Sequence, residues 1–509
     1  MINHINEFNG KGYPDLHDHL SVLDEAGLLI RIDHSVNKDT ELMPLVRWQF
    51  RGGIPETERK AFLFTNVADS NGRSYDFPLA VGVLAASKKI YSTGMGVPIE
   101  SIGSHWKHAL ENPIAPVRVD EAPCDEIVLT GSDILGEFRG LDSLPVPIST
   151  PGFDSAPYLT STSCITVDPD SGIQNIGTYR GALKGSDRIG LKLFSNLRQG
   201  AHHHWLKYRR LGQPMPIAMV IGCPPAISYV SPQKIKAETD EIAVAGALVG
   251  APIRVKKAIM SNLMVPADAE FVIEGLVDIN LMEPEGPFGE SHGHINLEEY
   301  NFIINVTAIT HRHNAIMSSI ISQVTPSESS VIKRVAMEPK YLNHLQDRLG
   351  IKGLKAVSMH EPLTNIRRVV FLVFKREIPS TEIWRAMYGA SAVDSAVGKY
   401  VIAVNDDIDP ENIDAVLWAL SCRSNPALDT HKLLHRDRGH GPALERGGGE
   451  DASILIDATL KGNMSPLALP KKEYMVKAKK LWHDLCLPPL RPQTPWFGYG
   501  FGDWVEEWD

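Results

Sequence analysis

Residues 285–290 read EGPFGE, two carboxylates five positions apart around a Gly-Pro-Phe-Gly centre. Proline fixes its own φ, and the flanking glycines admit conformations that other residues resist. The stretch is therefore expected to be a stiff turn, neither helix nor regular strand, that aims both acids in fixed directions. An isolated acidic turn is more often a solvated surface loop, so its surroundings decide what this one is.

Around it, from about residue 116 to 325, short β-rich runs alternate with Gly, Pro and Asp: SCITVD, MPIAMVIG, APIRVKKAI, FVIEGLVD and FIINVTAIT. Many strands at close intervals predict a sheet-rich barrel or sandwich. One helix interrupts them at TDEIAVAGALVG, with Glu241 in its first turn and Gly250 as its stop. Upstream, residues 15–32 place Leu16, Leu20, Leu23 and Ala26 on one helical face, and Gly27 ends that helix before a short strand. The HDH within it looks like a metal motif, but His17 and His19 point to different faces and are expected at a solvated surface. Downstream of 326, a helical connector leads to the strands RRVVFLVF and KYVIAVND. The helix after them is expected to be capped by Asp409, to open on Pro410, and to line one face with Ile413, Val416, Leu417 and Leu420.

The chain has 509 residues, 43% hydrophobic and 22% charged, values of an ordinary globular protein of two or three domains. Its 51 basic and 61 acidic residues give a net charge of −10, which argues against nucleic acid held on a general basic surface. A small molecule or another protein is the expected partner. The five cysteines are far apart with no CxxC, the N-terminal stretch lacks the order of a signal peptide, and no apolar run is long enough for a membrane span. The expectation is a reduced, cytoplasmic protein. No GxxxxGK[ST] and no strand-following GxGxxG occurs.

Residues 171–180, SGIQNIGTYR, follow a strand and bring an amide, Asn175, and a guanidinium, Arg180, into one extended stretch. The planar fork of arginine suits carboxylate or phosphate. In order along the chain stand NIGTYR at 175–180, DEIAVAGAL at 240–248 and EGPFGE at 285–290, with GCPPAISYVS at 222–231 between the first two and DAT at 457–459. In these motifs the chain resembles the UbiD-like family of prenylated-FMN-dependent decarboxylases, over nearly its whole length.

The resemblance implies a mixed α/β fold in three parts: an N-terminal α/β region (1–115), a central split β-barrel related to flavin-reductase barrels (116–325), and a C-terminal α/β and oligomerisation domain (326–509) joined by a helix. It implies Asn175 and Glu241 as ligands of a divalent metal, usually Mn2+, that bridges to the flavin phosphate. Gln199 stands where some members place a histidine ligand, and His202, His203 and His204 lie close by. Val230, Ser231 and Gln233 match a monovalent-cation site, usually K+. Ile176, Gly177, Thr178, Tyr179 and Arg180, then Lys192, Leu193 and Phe194, then Arg198 and Gln199, match flavin-contacting stretches. Glu290 matches the family's proton donor, with Glu285 and Arg180 forming an ion-pair network beside it. Two nearby acids and one cation let one acid stay charged while the other moves toward neutrality. The implied activity is reversible, non-oxidative decarboxylation of an aromatic, heteroaromatic or α,β-unsaturated acid by a homodimer or larger homo-oligomer, with the cofactor supplied by a flavin prenyltransferase. An FMN oxidoreductase on the same barrel and a non-catalytic accessory subunit are the competing readings. Finally, residues 429–451 lack clear periodicity and are expected to be a mobile loop. Its His431, Lys432, His435, Arg436, Arg438 and His440 would be solvated or help to hold subunits together, or, where the loop approaches the substrate as the resemblance implies, favour a substrate with a second anionic or polar group.

Overall fold

In the computed structural model, residues 8, 10–193, 200–235, 239–437, 450–462, 464, 465, 468 and 470–490 are described. Two compact units divide the chain, Met1–Ala336 and Met337–Asp509.

The first unit is built around a nine-stranded sheet. Its strands run in the order Gln174–Gly177, Thr162–Val167, Met215–Ile221, Phe271–Glu285, Glu299–His311, Arg188–Leu191, Gly181–Leu183, Tyr158–Leu159, and Ile127–Thr130 pairs further along Glu299–His311. Every pairing within it is antiparallel. The expected split barrel is thus an open sheet in its hydrogen bonding, with no pairing among the described residues that closes it. The register between Phe271–Glu285 and Glu299–His311 shifts twice, at Glu274/Gly275 and at Val277/Met282.

No core of its own separates the N-terminal region from this sheet. The returning strand Met317–Ser319 adds in parallel to Leu79–Val81 in a four-stranded sheet with Leu29–Ile32 and Ala61–Phe64, and one apolar cluster runs from Tyr13 to Ala336. The helix Leu16–Glu25 is capped by Asp15 in a capping box and buries Leu16, Leu20 and Leu23. It also buries His19, whose Nε2 lies 2.7 Å from the Val83 carbonyl, while His17 Nε2 lies 3.0 Å from Glu270 Oε2. The expectation of a solvated HDH is therefore wrong: His19 shares the buried face because it is one turn from Leu16 and Leu23.

In the second unit five strands run Leu354–Met359, Val369–Phe374, Tyr400–Asn405, Glu450–Asp457, Thr430–Asp437, parallel only in the middle. Alternate residues face opposite layers. Val370, Leu372 and Phe374 pack with the helix Ser380–Val393, and Phe371 and Val373 pack with the helix Ile413–Arg423. That second helix starts later than expected. Asn412, not Asp409, accepts from Asp414 N and Ala415 N, and Ile413 and Leu417 are exposed where Ala415, Val416 and Ala419 are buried.

Within the segment expected to be a loop, residues 430–437 and 450–451 are strand, while 438–449, and so Arg438 and His440, lie outside the described residues. Thr430–Asp437 is the edge strand on Glu450–Asp457. Arg436 donates to the carbonyls of Ser391 (2.7 Å), Asp394 (3.0 Å) and Val397 (2.9 Å) and to Ser453 Oγ (3.0 Å). Sequence pattern missed the strand because an edge exposed on both faces shows no alternation.

Candidate active site

The acidic turn begins at the end of a strand. Glu285 closes Phe271–Glu285, opposite Glu299, and Phe288–Gly289 forms a two-residue ladder with Ile295–Asn296, so the turn holds more strand than its composition predicts. Gly286 has φ +103°, a backbone that favours glycine, and the Gly286–Pro287 peptide is cis. At Gly289 a Cβ would stand 2.1 Å from Thr150 Oγ1, so only glycine fits. The turn is tied down by Asp154, whose two carboxylate oxygens accept from Gly289 N (2.8 Å) and Thr150 N (2.7 Å), and by Ser155 N donating to the Pro287 carbonyl at 3.1 Å. Burial pushes the Asp154 carboxyl above the usual carboxylate range, partly offset by these N–H donors.

Arg180 precedes the strand Gly181–Leu183 and points at the turn. Its Nε and Nη2 meet Glu285 Oε1 and Oε2 at 2.8 Å each, a two-pronged pair, and its Nη1 is ion-paired with Glu290. Asn301 Nδ2 donates to Glu285 Oε2 at 3.2 Å. All three charged side chains are nearly buried. Two aromatic rings enclose them: Phe288 and Tyr158 lie 4.3 Å apart between centroids, with the guanidinium carbon 4.4 Å from the Phe288 ring centre and 5.8 Å from that of Tyr158. Burial raises the Tyr158 hydroxyl's pKa, so it stays protonated at neutral pH.

Asn175, Ile176 and Gly177 lie on the strand Gln174–Gly177, opposite Thr166, Ile165 and Cys164. Thr178 and Tyr179 follow, and the Tyr179 ring folds back so closely that a Cβ at Gly177 would stand 2.6 Å from its hydroxyl. Glu241 is the first residue of the helix Glu241–Val249, after the cap Asp240. Burial pushes its carboxyl up to about 7, opposed by hydrogen bonding to backbone at Ile176, so Glu241 sits beside the residue next to Asn175. A buried carboxylate raised by desolvation is one that a cation would return to its charged form. Asn175 Oδ1 also meets the start of the helix Gly200–Leu211, where a Cβ at Gly200 would be 2.0 Å away, and a helix N-terminus favours phosphate. These donors fit a hard divalent cation next to a phosphate.

Val230 ends the helix Pro225–Val230 and Ser231 follows, both buried. Ser231 Oγ has no hydrogen-bond partner among the described residues, an orphan that a monovalent cation would satisfy. Gln233 donates from Nε2 to the Tyr229 carbonyl at 3.3 Å. Lys192 is buried, ion-paired with Glu299, and its backbone N–H meets the Arg180 carbonyl at 3.4 Å; Leu193 beside it is buried too. Phe194, Arg198 and Gln199 lie outside the described residues. Of the three histidines, His204 is engaged with Thr166, its Nδ1 2.8 Å from Oγ1, and burial lowers it to about 4. Sequence reading missed Asn301, Tyr158, Phe288 and Asp154. Asn301 carried a faint signal, an amide in the apolar run of its strand, and Phe288 stood inside the motif; Tyr158 and Asp154 carried none.

Residues 116–324 match the Rift-related domain, and residues 330–440 the C-terminal domain, of 3-octaprenyl-4-hydroxybenzoate carboxy-lyase, UbiD. Among solved structures the chain is similar to the UbiD-class enzyme HmfF from Pelotomaculum thermopropionicum in complex with FMN, at 27% identity and a TM-score of 0.77, over 95% of this chain and 98% of that one. An evolved dimeric form of HmfF with prFMN matches at 27% identity and a TM-score of 0.77, over 90% and 98%. The vanillic acid decarboxylase of Sedimentibacter hydroxybenzoicus matches at 23% identity and a TM-score of 0.75, over 93% and 99%, and shares the fold. With both domains matched in order along one chain, this protein belongs to the UbiD family and is a carboxy-lyase.

Proposed function

We propose that the protein is a prenylated-FMN-dependent enzyme for the reversible, non-oxidative decarboxylation of an aromatic, heteroaromatic or α,β-unsaturated acid, with Glu290 as proton donor. The observation that carries this reading is the buried Arg180 guanidinium shared by Glu285 and Glu290. Prenylated FMN, when bound, supplies the electron sink for the carbon that loses carbon dioxide. The protein's own residues then have to return a proton to that carbon. Glu285 has both oxygens engaged by Arg180 and Asn301, Glu290 shares the same guanidinium through Nη1, and Glu290 is the acid to which the resemblance to the family assigns the proton. The bonds that tie down the turn fix where that proton is offered, and the Tyr158 and Phe288 rings screen the triad from water.

Asn175 and Glu241 would hold a divalent metal, Mn2+, at the flavin phosphate. Val230, Ser231 and Gln233 would hold K+. Ile176 to Arg180, with Lys192 and Leu193, would line the flavin, and Phe194, Arg198 and Gln199 keep the roles that the resemblance implies. The assembly is a homo-oligomer that receives its cofactor from a flavin prenyltransferase in the cytoplasm. The test is co-expression with that transferase, identification of the bound flavin by absorbance and mass, and assay of carbon dioxide release from vanillic acid, 3,4-dihydroxybenzoic acid and a panel of heteroaromatic and unsaturated acids. Protein loaded with prenylated FMN that neither decarboxylates any of them nor exchanges 13C-bicarbonate into their products would overturn the proposal.

A further inference from the structure

Gly289, which leads into Glu290, is gripped at both of its backbone polar groups. Its N–H is held by Asp154. Its carbonyl accepts from Gln323 Nε2 at 3.4 Å, and a Cβ on Gly289 would stand 3.0 Å from Gln323 Cγ, so this side chain lies directly against the turn. Gln323 is buried and has φ +34°, a left-handed backbone that a residue with a Cβ rarely adopts and that marks positions held by their surroundings.

What holds Gln323 comes from far away in sequence. Arg47, on the helix Leu42–Arg51, donates from Nη2 to Gln323 Oε1 at 2.6 Å and from Nη1 to the Val324 carbonyl at 2.9 Å. Ser322 N donates to the same Oε1 at 3.2 Å. Two donors on one oxygen fix the orientation of the amide: Oε1 must face Arg47, and Nε2 must face Gly289. Arg51, one turn on, reaches the Thr325 carbonyl at 3.5 Å, so the helix holds the segment 323–325 at more than one point.

We propose that Arg47 and Gln323 are positioning residues for proton transfer: Arg47 orients the Gln323 amide, and that amide holds the Gly289 carbonyl and thereby the backbone from which Glu290 projects. This rests on the reading of Glu290 as proton donor. It assigns to the helix Leu42–Arg51 a part in the chemistry, although none of its side chains is among those placed in the ion-paired triad. A displacement of the donor by about 1 Å can cost about 100-fold in rate, so a single amide is enough to matter.

The decisive variant is Gln323→Glu. It keeps the size of the side chain and gives Arg47 a carboxylate to pair with, so the fold is retained, but it replaces the donor facing the Gly289 carbonyl by an acceptor. Arg47→Lys and Arg47→Ala test the other end. Two measurements are made on the full chain. Hydrogen exchange read by mass spectrometry, with no substrate present, follows the amides of residues 288–294, where Glu290 N bonds the His294 carbonyl and Gly293 N the Glu290 carbonyl. Steady-state kinetics on the best acid of the panel gives kcat, KM and the pH profile of kcat. Expected for Gln323→Glu are exchange faster by about ten-fold in 288–294, kcat lower by about ten-fold, a displaced pH profile, KM within about two-fold and unchanged flavin occupancy, with Arg47→Ala alike and Arg47→Lys intermediate. Wild-type exchange in 288–294 for both Gln323→Glu and Arg47→Ala, or faster exchange with wild-type kcat and pH profile, overturns the proposal. If the wild-type protein turns over no acid at all, the reading of Glu290 as donor fails and this proposal with it, while the exchange measurement separately reports whether the grip exists.

Discussion

Arg180 meets Glu285 along one edge of its guanidinium, Nε to Oε1 and Nη2 to Oε2 at 2.8 Å each, and turns its remaining nitrogen to Glu290. One rigid cation therefore sets the spacing of two acids that the chain places on either side of a turn. A lysine has the charge but not the fork. Arg180→Lys is expected to fold and to lose about 100-fold or more in kcat, because Glu290 is no longer aimed. Turnover within a few-fold of wild type would remove Arg180 from the proton-transfer apparatus.

Glu290→Gln removes an exchangeable proton and almost no volume. Decarboxylation should fall by about 100-fold or more, the range that positioned acids contribute, while flavin absorbance of the purified protein stays at the wild-type level. Equal loss of flavin and activity would instead make Glu290 a binding residue.

Glu241→Gln and Asn175→Ala remove the donors that fit a divalent cation. Manganese measured by elemental analysis and prenylated FMN measured by absorbance are expected to fall together, by at least about ten-fold. Full metal and flavin content in both variants would show that the cation is held elsewhere.

Burial lowers the pKa of His19 from 6.5 to about 4, against the Val83 carbonyl that favours the charged ring. As pH falls through 6.5 the unfolded chain takes up a proton that the folded chain refuses, so stability declines down to the folded value and then levels off. The contribution is fully present above pH 6.5 and amounts to roughly 3 kcal/mol lost by about pH 4. Denaturant unfolding at pH 7 and pH 5 should show a smaller pH dependence for His19→Gln than for wild type; identical dependence would contradict a buried neutral ring.

Arg436 serves three backbone carbonyls and Ser453 within the second unit. Arg436→Ala is expected to cost about 2–4 kcal/mol of that unit's stability by leaving acceptors unmet, and to leave the ranking of aromatic acids unchanged. A changed ranking at wild-type stability would return this arginine to substrate selection.

Local pattern carried much of the fold. Bounded apolar runs marked Thr162–Val167, Met215–Ile221 and Glu299–His311 as strands, and Leu16, Leu20 and Leu23 marked the first helix, because side-chain period reports backbone geometry within one element. The ordered motifs NIGTYR, DEIAVAGAL and EGPFGE were legible for the same reason: each is a short stretch whose residue types restrict the backbone. Period cannot say what covers a face. Ile413 and Leu417 looked like core and are exposed, and His19 looked like surface and is buried, since burial depends on which element packs there. An edge strand with both faces exposed, Thr430–Asp437, left no pattern to read.

The sequence alone determined which chemical groups the site could draw on, and the stiffness of the turn between Glu285 and Glu290. Only the tertiary structure decided that Arg180, 105 positions from Glu285, reaches both acids, that Asn301 joins them, and that Gln323, held by Arg47 276 positions before it, lies against the turn. Such contacts depend on strand order and on the return of Met317–Ser319 to the N-terminal sheet, and those follow from the burial of one shared core, a property of the whole chain that no window of sequence contains.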